Sequence, residues 1–210
     1  MSKTYAIKEM YYTLQGEGFH SGRAAVFCRF SGCNLWSGRE EDRSKAICKF
    51  CDTNFWGTDG VNGGKYSADN LMAKILKLWP LDEAPFIVFT GGEPALQLDD
   101  QLIQTLKTVN AEIAIETNGT IALADNIDWI CMSPKANTEL VVKSGHEIKI
   151  IYPQEGINPL DFKDWDFENF YIQPMDNPQR NENTEAAVNF CKAHPQFKLS
   201  IQSHKYLDIP

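Results

Sequence analysis

The stretch FIVFTGGEPALQLDDQLIQTLKTVNAEIAIETNG, residues 86–119, contains a complete strand–helix–strand unit. Residues 86–90 and 112–116 are short runs of β-branched and aromatic residues, which are typical of buried strands. Residues 99–110, between these two runs, have helical periodicity. A strand, a helix and a second strand in this order predict two parallel strands joined by a crossover helix.

Similar units recur on both sides of this stretch. Further strands are predicted over residues 5–13, 24–30, 128–132, 147–152, 169–172 and 198–202, and further helices over residues 68–79 and 184–194. Ser67 and Asn183 precede these two helices and are suited to cap them. A row of such units curls into a barrel, and the small number of helices predicts an incomplete one. The predicted fold class is α/β, a partial parallel barrel with about six core strands and three long helices.

Polar or glycine-rich segments follow the predicted strands, at the end where barrels of this kind bind their ligands. These rim segments are residues 31–34, 90–94, 116–119, 133–135, 173–176 and 203–205. A single segment of this kind could be a solvated turn. Six in succession indicate a polar ligand-binding rim at one end of the barrel.

The composition narrows the class of protein. The chain has 210 residues, 43% of them hydrophobic, which is enough for one buried core, so we expect a single domain over residues 1–210. A net charge of -8, with 28 acidic against 20 basic residues, argues against binding to nucleic acid. The sequence shows no secretion signal and no run of apolar residues long enough to span a membrane. We therefore expect a cytoplasmic protein that does not contact membranes.

Three of the six cysteines are spaced as metal ligands. Cys48 and Cys51 form a CxxC pair, and the charged residues 34–47 separate this pair from Cys33. In a reducing cytosol such spacing indicates metal binding or catalysis rather than disulfides. Three thiolates would leave one iron of a 4Fe-4S cluster free to bind the amino and carboxylate groups of a cofactor. We therefore expect a cluster-binding insert over residues 31–66.

Cys28 is a candidate fourth ligand. Strand alternation places Cys28 on one face with Val26 and Phe30, which predicts a buried apolar role instead. Cys131 and Cys191 stand alone in apolar segments and are predicted to be buried as well. Two other interpretations remain open at this point, a zinc site of four thiolates that includes Cys28 and a thioredoxin-like redox CxxC pair.

Eight short motifs are spread over nearly the whole chain. They are TLQGEG at residues 13–18, FCRFSGCNLW at 27–36, CKFCDT at 48–53, TGGEP at 90–94, ETNG at 116–119, SPK at 133–135, QPMD at 173–176 and HKYLDIP at 204–210. Together they resemble the motifs of radical S-adenosylmethionine enzymes and, among these, of the 7-carboxy-7-deazaguanine synthases of queuosine biosynthesis. One departure from the wider superfamily, whose cluster motif is CxxxCxxC, is the insert of fourteen residues after Cys33.

The resemblance implies a lyase that converts 6-carboxy-5,6,7,8-tetrahydropterin to 7-carboxy-7-deazaguanine with loss of ammonia. It implies a 4Fe-4S cluster, S-adenosylmethionine and Mg²⁺ as cofactors, a homodimer, and an electron donor such as flavodoxin. In the mechanism that the resemblance implies, an electron from the cluster would break the sulfonium carbon–sulfur bond, and the resulting 5'-deoxyadenosyl radical would remove a hydrogen atom from the substrate. The competing functions are a radical activase that acts on a glycine of another protein and a zinc-bound interaction domain without enzymatic activity.

The resemblance also implies which residues form the site. Those for S-adenosylmethionine are Phe50, Cys51, Asp52, Gly92, Glu116, Ser133, Pro134, Lys135, Gln173, Pro174, Met175 and Asp176. Those for the pterin are Leu14, Gln15, Gly16, Glu17, Arg29, Thr90, His204 and Pro210. Those for metals are Cys33, Cys48 and Cys51, which would bind the 4Fe-4S cluster, and Thr53, which would bind Mg²⁺.

The chemistry of three of these side chains or groups suits the implied ligands. Lys135 is suited to the carboxylate of the cofactor. Arg29 lies opposite the apolar face of its strand, so its guanidinium can point into the barrel and bind a substrate carboxylate. The resemblance places the carboxylate of Pro210 on the substrate, where it can accept hydrogen bonds from the amino-pyrimidine edge of a pterin.

Overall fold

The structure is a computed structural model, and it describes residues 3–210 of the chain. The strands are β1 (Tyr5–Leu14), β2 (Ala24–Phe30), β3 (Gly64–Tyr66), β4 (Phe86–Gly91), β5 (Glu112–Thr117), β6 (Trp129–Met132), β7 (Ser144–Tyr152), β8 (Asp166–Pro174) and β9 (Lys198–Leu199). The α-helices are α1 (Ala68–Leu78), α2 (Asp100–Lys107), α3 (Arg180–Ala193) and α4 (Ser203–Leu207). None of the helices in the described range is long and apolar enough to cross a membrane.

The strands form one sheet with the order β3-β1-β2-β4-β5-β6-β7-β8-β9. Neighbours from β2 to β9 pair in parallel, whereas β1 pairs antiparallel with both β2 and β3. The sheet ends at β3 and β9 instead of closing on itself. The prediction of an α/β, partial parallel barrel is therefore confirmed.

Strand alternation gives the sheet an apolar outer face and a mixed inner face. On β2, Val26, Cys28 and Phe30 belong to the apolar core that also contains buried residues of α1 and α2. The intervening Ala25 and Phe27 point to the inner face of the sheet, where they belong to a separate small apolar cluster with residues of β4 and β5. A second outer core lies between α3 and the strands β7 and β8. The inner face is thus left to form the walls of a cavity.

The two predicted helix caps have different outcomes. Ser67 caps α1 as predicted, because its hydroxyl oxygen accepts a hydrogen bond of 3.3 Å from the main-chain nitrogen of Asn70. The prediction for Asn183 was wrong, because α3 begins earlier, at Arg180, and Asn183 lies within its first turns. Its side-chain amide donates at 2.9 Å to the main-chain oxygen of Met175, which ties the segment after β8 to the helix.

The C-terminal part of the sheet also departs from prediction. Residues 198–202 were expected to form a strand, but pairing in β9 ends at Leu199. The next residue still contacts β8, because the main-chain nitrogen of Ser200 donates to the oxygen of Ile172 at 2.9 Å and its hydroxyl donates to the side-chain oxygen of Gln173 at 2.8 Å. The chain then forms α4, where the main-chain nitrogen of Ser203 donates to the oxygen of Gly16 at 2.9 Å. Neither α4 nor the three-residue β3 has enough residues to give a periodic sequence signal.

The loop between β1 and β2 closes the end of the barrel opposite to the rim. Phe19 stacks on Trp129, the first residue of β6, with ring centroids 4.9 Å apart. His20 packs against the same indole at 4.3 Å and against Phe86, the first residue of β4, at 5.0 Å. The loop residues that precede this aromatic plug, among them Gln15, face the cavity from below.

Candidate active site

The principal cavity of the barrel has a volume of about 480 Å³ and opens at the rim. Twenty of the residues named from the sequence line it. They are Leu14, Gln15, Glu17, Arg29, Cys48, Phe50, Cys51, Asp52, Thr53, Thr90, Gly92, Glu116, Ser133, Lys135, Gln173, Pro174, Met175, Asp176, His204 and Pro210. This volume is within the range typical of small-molecule sites.

Three of the named residues do not line this cavity. Cys33 is half-buried beside the other two cysteines, Pro134 is buried, and Gly16 is covered by His204. A Cβ atom on Gly16 would lie 2.2 Å from the imidazole nitrogen Nδ1 of His204. Gly16 therefore supports the site by letting α4 approach the β1–β2 loop.

The three predicted ligand cysteines lie close together on one side of the cavity. The main-chain oxygen of Leu35 accepts hydrogen bonds from the nitrogens of Ile47 and Cys48, at 3.0 and 3.4 Å, so the insert closes on itself at its base. Burial raises the pKa of Cys51 to about 11, and the nearby Cys48 and Cys33 act in the same direction. We call this part the cysteine side.

Within residues 3–210, no three His, Cys, Asp or Glu side chains converge to hold one metal ion. In a 4Fe-4S cluster each cysteine binds a different iron atom, so its thiols do not converge on a single ion. Cys28 is fully buried in the outer apolar core, as predicted, and burial alone raises the pKa of its thiol. Cys131 is also buried, but its thiol contacts Glu147 at 3.5 Å, and Cys191 is only half-buried.

Lys135 is the main cation of the cysteine side. Its Nζ donates to the main-chain oxygen and to the hydroxyl of Ser133, both at 2.7 Å. Burial lowers the pKa of Lys135, although the thiol of Cys48 acts in the opposite direction. Among the described residues, Lys135 forms no ion pair with a carboxylate. Such a cation is suited to an anionic group of a ligand.

Glu93 of the TGGEP motif holds two rim segments together. It is fully buried and accepts hydrogen bonds from the hydroxyl of Thr117 and the main-chain nitrogen of Asn118, both at 2.7 Å. The side-chain amide of Asn118 donates to Asn34, just after Cys33, at 3.0 Å. Burial raises the pKa of Glu93, and these hydrogen bonds act in the opposite direction. The sequence motif included Glu93, but its role as a connector was not predicted.

A second part of the cavity wall, which we call the carboxylate side, contains a buried ion network. Lys149 on β7 lies 2.6 Å from Glu17 and 2.8 Å from Glu116, and its side chain is 6% exposed. Gln15 donates to Glu116 at 3.1 Å, and Gln202 donates to Glu17 at 2.9 Å. Each charged side chain of this network therefore contacts at least one residue from another part of the chain.

The charges of this network change the pKa values of Glu17 and Lys149. Burial acts to raise the pKa of Glu17, but the ammonium of Lys149 and its hydrogen bond outweigh this and lower the pKa to about 2. Burial acts to lower the pKa of Lys149, but its acidic neighbours, including Glu116 and Glu17, raise it. Glu147, nearby on the same strand, has a raised pKa because of its burial. The network is therefore a charged triad beside a carboxyl group that ionises less readily.

Arg29 faces the cavity as strand alternation predicted. Its Nε donates to Glu9 at 2.8 Å, and its terminal nitrogens make longer contacts of 3.4 Å with Tyr11 and 3.5 Å with Gly91. Glu9 and Tyr11 also line the cavity and were not identified from the sequence. The pairing register of β1 shifts between Ile7 and Glu9, so simple alternation cannot be extended along the whole strand.

The C-terminal segment, with helix α4, lies beside the cavity and contacts the CxxC loop, the segment after β8 and the end of β1. Lys205 forms ion pairs with Asp52, at 2.7 Å, and with Asp176. The hydroxyl of Thr13 donates to the main-chain oxygen of Pro210 at 2.8 Å, which holds the last residue at the cavity wall. The C-terminal segment is thus part of the site rather than a separate tail.

The partial barrel and its cysteine-sided cavity define a radical S-adenosylmethionine enzyme, and comparison with known proteins agrees. A solved structure described as the crystal structure of QueE from Escherichia coli superposes with a TM-score of 0.74 and 27% identity, covering 96% of this chain and 95% of that one. No protein-family model matches the chain.

Curated relatives identify the family. The chain is 58% identical to the 7-carboxy-7-deazaguanine synthase of Burkholderia multivorans over 99% of this chain and 100% of the relative. It is 56% identical to the synthase of the same name from Caulobacter vibrioides, again over 99% and 100%. The relative from Bacteroides thetaiotaomicron is 37% identical over 97% of both chains. The chain belongs to the 7-carboxy-7-deazaguanine synthase family, which confirms the family and enzyme class predicted from the sequence.

Proposed function

We propose that the cavity is the active site in which this 7-carboxy-7-deazaguanine synthase converts 6-carboxy-5,6,7,8-tetrahydropterin to 7-carboxy-7-deazaguanine with loss of ammonia. One observation carries the proposal: a single cavity of about 480 Å³ has a cysteine side and a carboxylate side that differ in chemistry. The first suits an iron-sulfur cluster and S-adenosylmethionine, and the second suits a polar heterocycle with N–H donors.

The donor set of the cysteine side fits a 4Fe-4S cluster. Cys33, Cys48 and Cys51 would each bind one iron, and the fourth iron would be left for the cofactor. A Cβ atom on Gly92 would lie 2.2 Å from the main-chain oxygen of Gly32 and 2.7 Å from Cβ of Cys33, so the TGGEP segment packs directly on the cluster loop. When bound, the cluster and S-adenosylmethionine supply the one-electron chemistry.

The other cofactor contacts follow from the same side of the cavity. Lys135 would hold the carboxylate of S-adenosylmethionine, because it has no carboxylate partner within the described residues. The segment of residues 173–176, which passes from β8 into the rim, would line the remainder of the cofactor. The buried Glu93 keeps the neighbouring rim segments in register.

The carboxylate side would orient the pterin. Glu9 fixes Nε of Arg29, while the terminal nitrogens of Arg29 make only long contacts and can bind the substrate carboxylate. Glu17 would accept N–H donors of the heterocycle. Gln15, which we assign to the pterin, donates a hydrogen bond to Glu116, which we assign to the cofactor. This contact supports placing the two ligands next to each other at this point of the cavity.

Thr53 is the proposed ligand of Mg²⁺. It lines the cavity directly after the CxxC pair, and its hydroxyl contacts Asp52 at 3.3 Å. A cation held there by one protein oxygen, water and the substrate carboxylate would orient the substrate. Replacement of Thr53 by Ala should lower product formation more than it lowers cleavage of S-adenosylmethionine. Equal product yield from the variant and the unmodified protein, with and without Mg²⁺, would reject this role.

The proposal includes four further points that stay predictions. They are a cytoplasmic location, a homodimer, electron delivery by a protein such as flavodoxin, and a single domain over residues 1–210 with its cluster-binding insert over residues 31–66. The match of 99% of this chain to a full-length relative of the synthase family supports them.

Anaerobic reconstitution tests the assignment of the cysteines. Serine at Cys33, Cys48 or Cys51 should abolish reductive cleavage of S-adenosylmethionine, because a cluster with two cysteine ligands loses iron. Cys28→Ala is the matched control, and we expect it to retain about four irons and to lose only about 1 kcal/mol of stability. Loss of the cluster in Cys28→Ala, or one zinc and no iron in the unmodified protein, would overturn the proposal.

The reaction itself is tested by incubating the reconstituted protein anaerobically with reductant, S-adenosylmethionine, Mg²⁺ and 6-carboxytetrahydropterin. Formation of the deazapurine and release of ammonia are expected in equal amounts. Cleavage of S-adenosylmethionine without consumption of the pterin would favour the alternative radical activase.

A further inference from the structure

The charged insert between Cys33 and Cys48 forms a small folded unit around an arginine. A 3₁₀-helix over Glu40–Lys45 exposes most of its side chains, but the guanidinium of Arg43 turns back toward the cysteines. It lies 4.0 Å from the ring of Trp36, a buried residue at the base of the insert. The insert is therefore packed on the cluster loop rather than projecting freely from it.

Arg43 binds the main chain of the CxxC turn directly. Its Nη1 donates to the carbonyl oxygen of Lys49 at 2.9 Å and to that of Cys51 at 3.1 Å. These oxygens belong to the turn that carries both thiols of the pair. The two hydrogens of Nη1 are held in the plane of the guanidinium, so this group can donate to both carbonyls in a fixed geometry that the freely rotating ammonium of lysine does not provide.

The charge of Arg43 is only partly neutralised by the protein. Its Nε donates to both oxygens of Glu40, at 2.7 and 2.8 Å, so the two residues form an ion pair within the insert. The Arg43 side chain is 28% exposed, whereas that of Glu40 is 76% exposed. Water screens the exposed carboxylate more strongly than the guanidinium beside the turn, so a net positive potential remains at the cysteines.

We propose that Arg43 is a positioning residue of the cluster site, which clamps the CxxC turn and adds a fixed positive charge that favours the reduced cluster. The inference rests on the proposed function, because it requires a 4Fe-4S cluster on Cys33, Cys48 and Cys51. The reduction potential of such clusters depends on local charge and on the hydrogen bonding around them.

The test compares the unmodified protein with three variants, Arg43→Gln, Arg43→Lys and Glu40→Gln. Arg43→Gln removes the charge and the clamp, so the cluster should be harder to reduce, by on the order of tenfold in the equilibrium constant, or about 59 mV for one electron. Arg43→Lys keeps the charge, so its potential should stay close to that of the unmodified protein while iron is lost faster to a chelator. Glu40→Gln should make reduction easier.

Arg39→Gln is the matched control for charge. Arg39 belongs to the same insert, but its side chain is 54% exposed, and its guanidinium lies 5.2 Å from the Trp56 ring instead of on the CxxC turn. Redox titrations followed by electron paramagnetic resonance should therefore give this variant the potential of the unmodified protein.

The potentials decide between a positioning role and a merely structural one. Unchanged potentials in both Arg43→Gln and Glu40→Gln, with a normal cluster in the unmodified protein, would overturn the proposal. If Arg43→Gln retains no cluster, the sign of the shift in Glu40→Gln decides alone, and no shift overturns it. Absence of a cluster from the unmodified protein would instead refute the proposed function.

Discussion

The two sides of the cavity hold lysines in opposite electrostatic surroundings. Lys149 on the carboxylate side contacts Glu17 and Glu116, and these acidic neighbours raise its pKa against the effect of burial. Lys135 on the cysteine side contacts only oxygens of Ser133 among the described residues, and burial lowers its pKa. The comparison indicates that the protein's own carboxylates pair with Lys149, whereas Lys135 has no carboxylate partner among the described residues and is left for the ligand proposed above.

Removal of Lys149 should have the largest effect on stability. Lys149→Met leaves Glu17 and Glu116 as buried like charges, which should lower the free energy of unfolding by about 3 kcal/mol at neutral pH. Urea unfolding monitored by circular dichroism measures this loss. If the variant were as stable as the unmodified protein, the network would not be a structural element of the carboxylate side.

Lys205→Met is the matched control for this prediction. Lys205 also pairs with two carboxylates, those of Asp52 and Asp176, but its side chain is 28% exposed. Water can solvate the partners it leaves behind, so we expect a loss of at most about 1 kcal/mol. The contrast between the two lysines then reports burial and not the number of ion pairs.

Removal of Lys135 should affect ligand binding but not folding. Lys135→Met removes a charge that has no carboxylate partner in residues 3–210, so the free energy of unfolding should stay the same or rise. The affinity for S-adenosylmethionine should fall roughly 10- to 100-fold through loss of a charge-assisted hydrogen bond. Equilibrium dialysis with the reconstituted protein measures the affinity. Unchanged affinity would show that the cofactor carboxylate binds elsewhere.

The pH dependence of stability provides a smaller and more specific test of the carboxylate side. The pKa of Glu17 falls from 4.5 to about 2 on folding, so the folded protein stabilises the ionised form of Glu17 relative to its protonated form. This contribution is present above about pH 4.5 and is lost as the pH falls toward 2. Glu17→Gln should therefore show a flatter decline of stability across this interval in urea titrations. Identical slopes would argue that Glu17 is not ionised in the network.

The smallest predicted effect concerns the C-terminal segment. Thr13→Val removes the hydrogen bond to the main-chain oxygen of Pro210, which should weaken pterin binding roughly 2- to 10-fold and leave the affinity for S-adenosylmethionine unchanged. Thr13→Ser keeps the hydroxyl and should restore binding. A change of equal size in both affinities would indicate a general disturbance of β1 instead.

Much of the site followed from the sequence because its residues lie in short motifs next to strand ends. The prediction that Cys28 faces the core and Arg29 faces the cavity required only the period of two along a strand, and both were correct. Ser67 was recognisable as a cap from its position before a helical pattern. These features depend on neighbours that are close in the chain, so a local pattern contains the information.

The tertiary structure alone decided which distant residues meet. Lys149 is in a strand with no motif around it, yet it joins Glu17 and Glu116, which are 132 and 33 residues away in the chain. The clamp of Arg43 on the CxxC turn depends on how the insert folds back, and the shifted register of β1 determines where Glu9 meets Arg29. Sequence periodicity specifies the face of an element on which a side chain lies. The partner of that side chain is fixed only when separate elements pack together, because packing brings distant charges into one buried space.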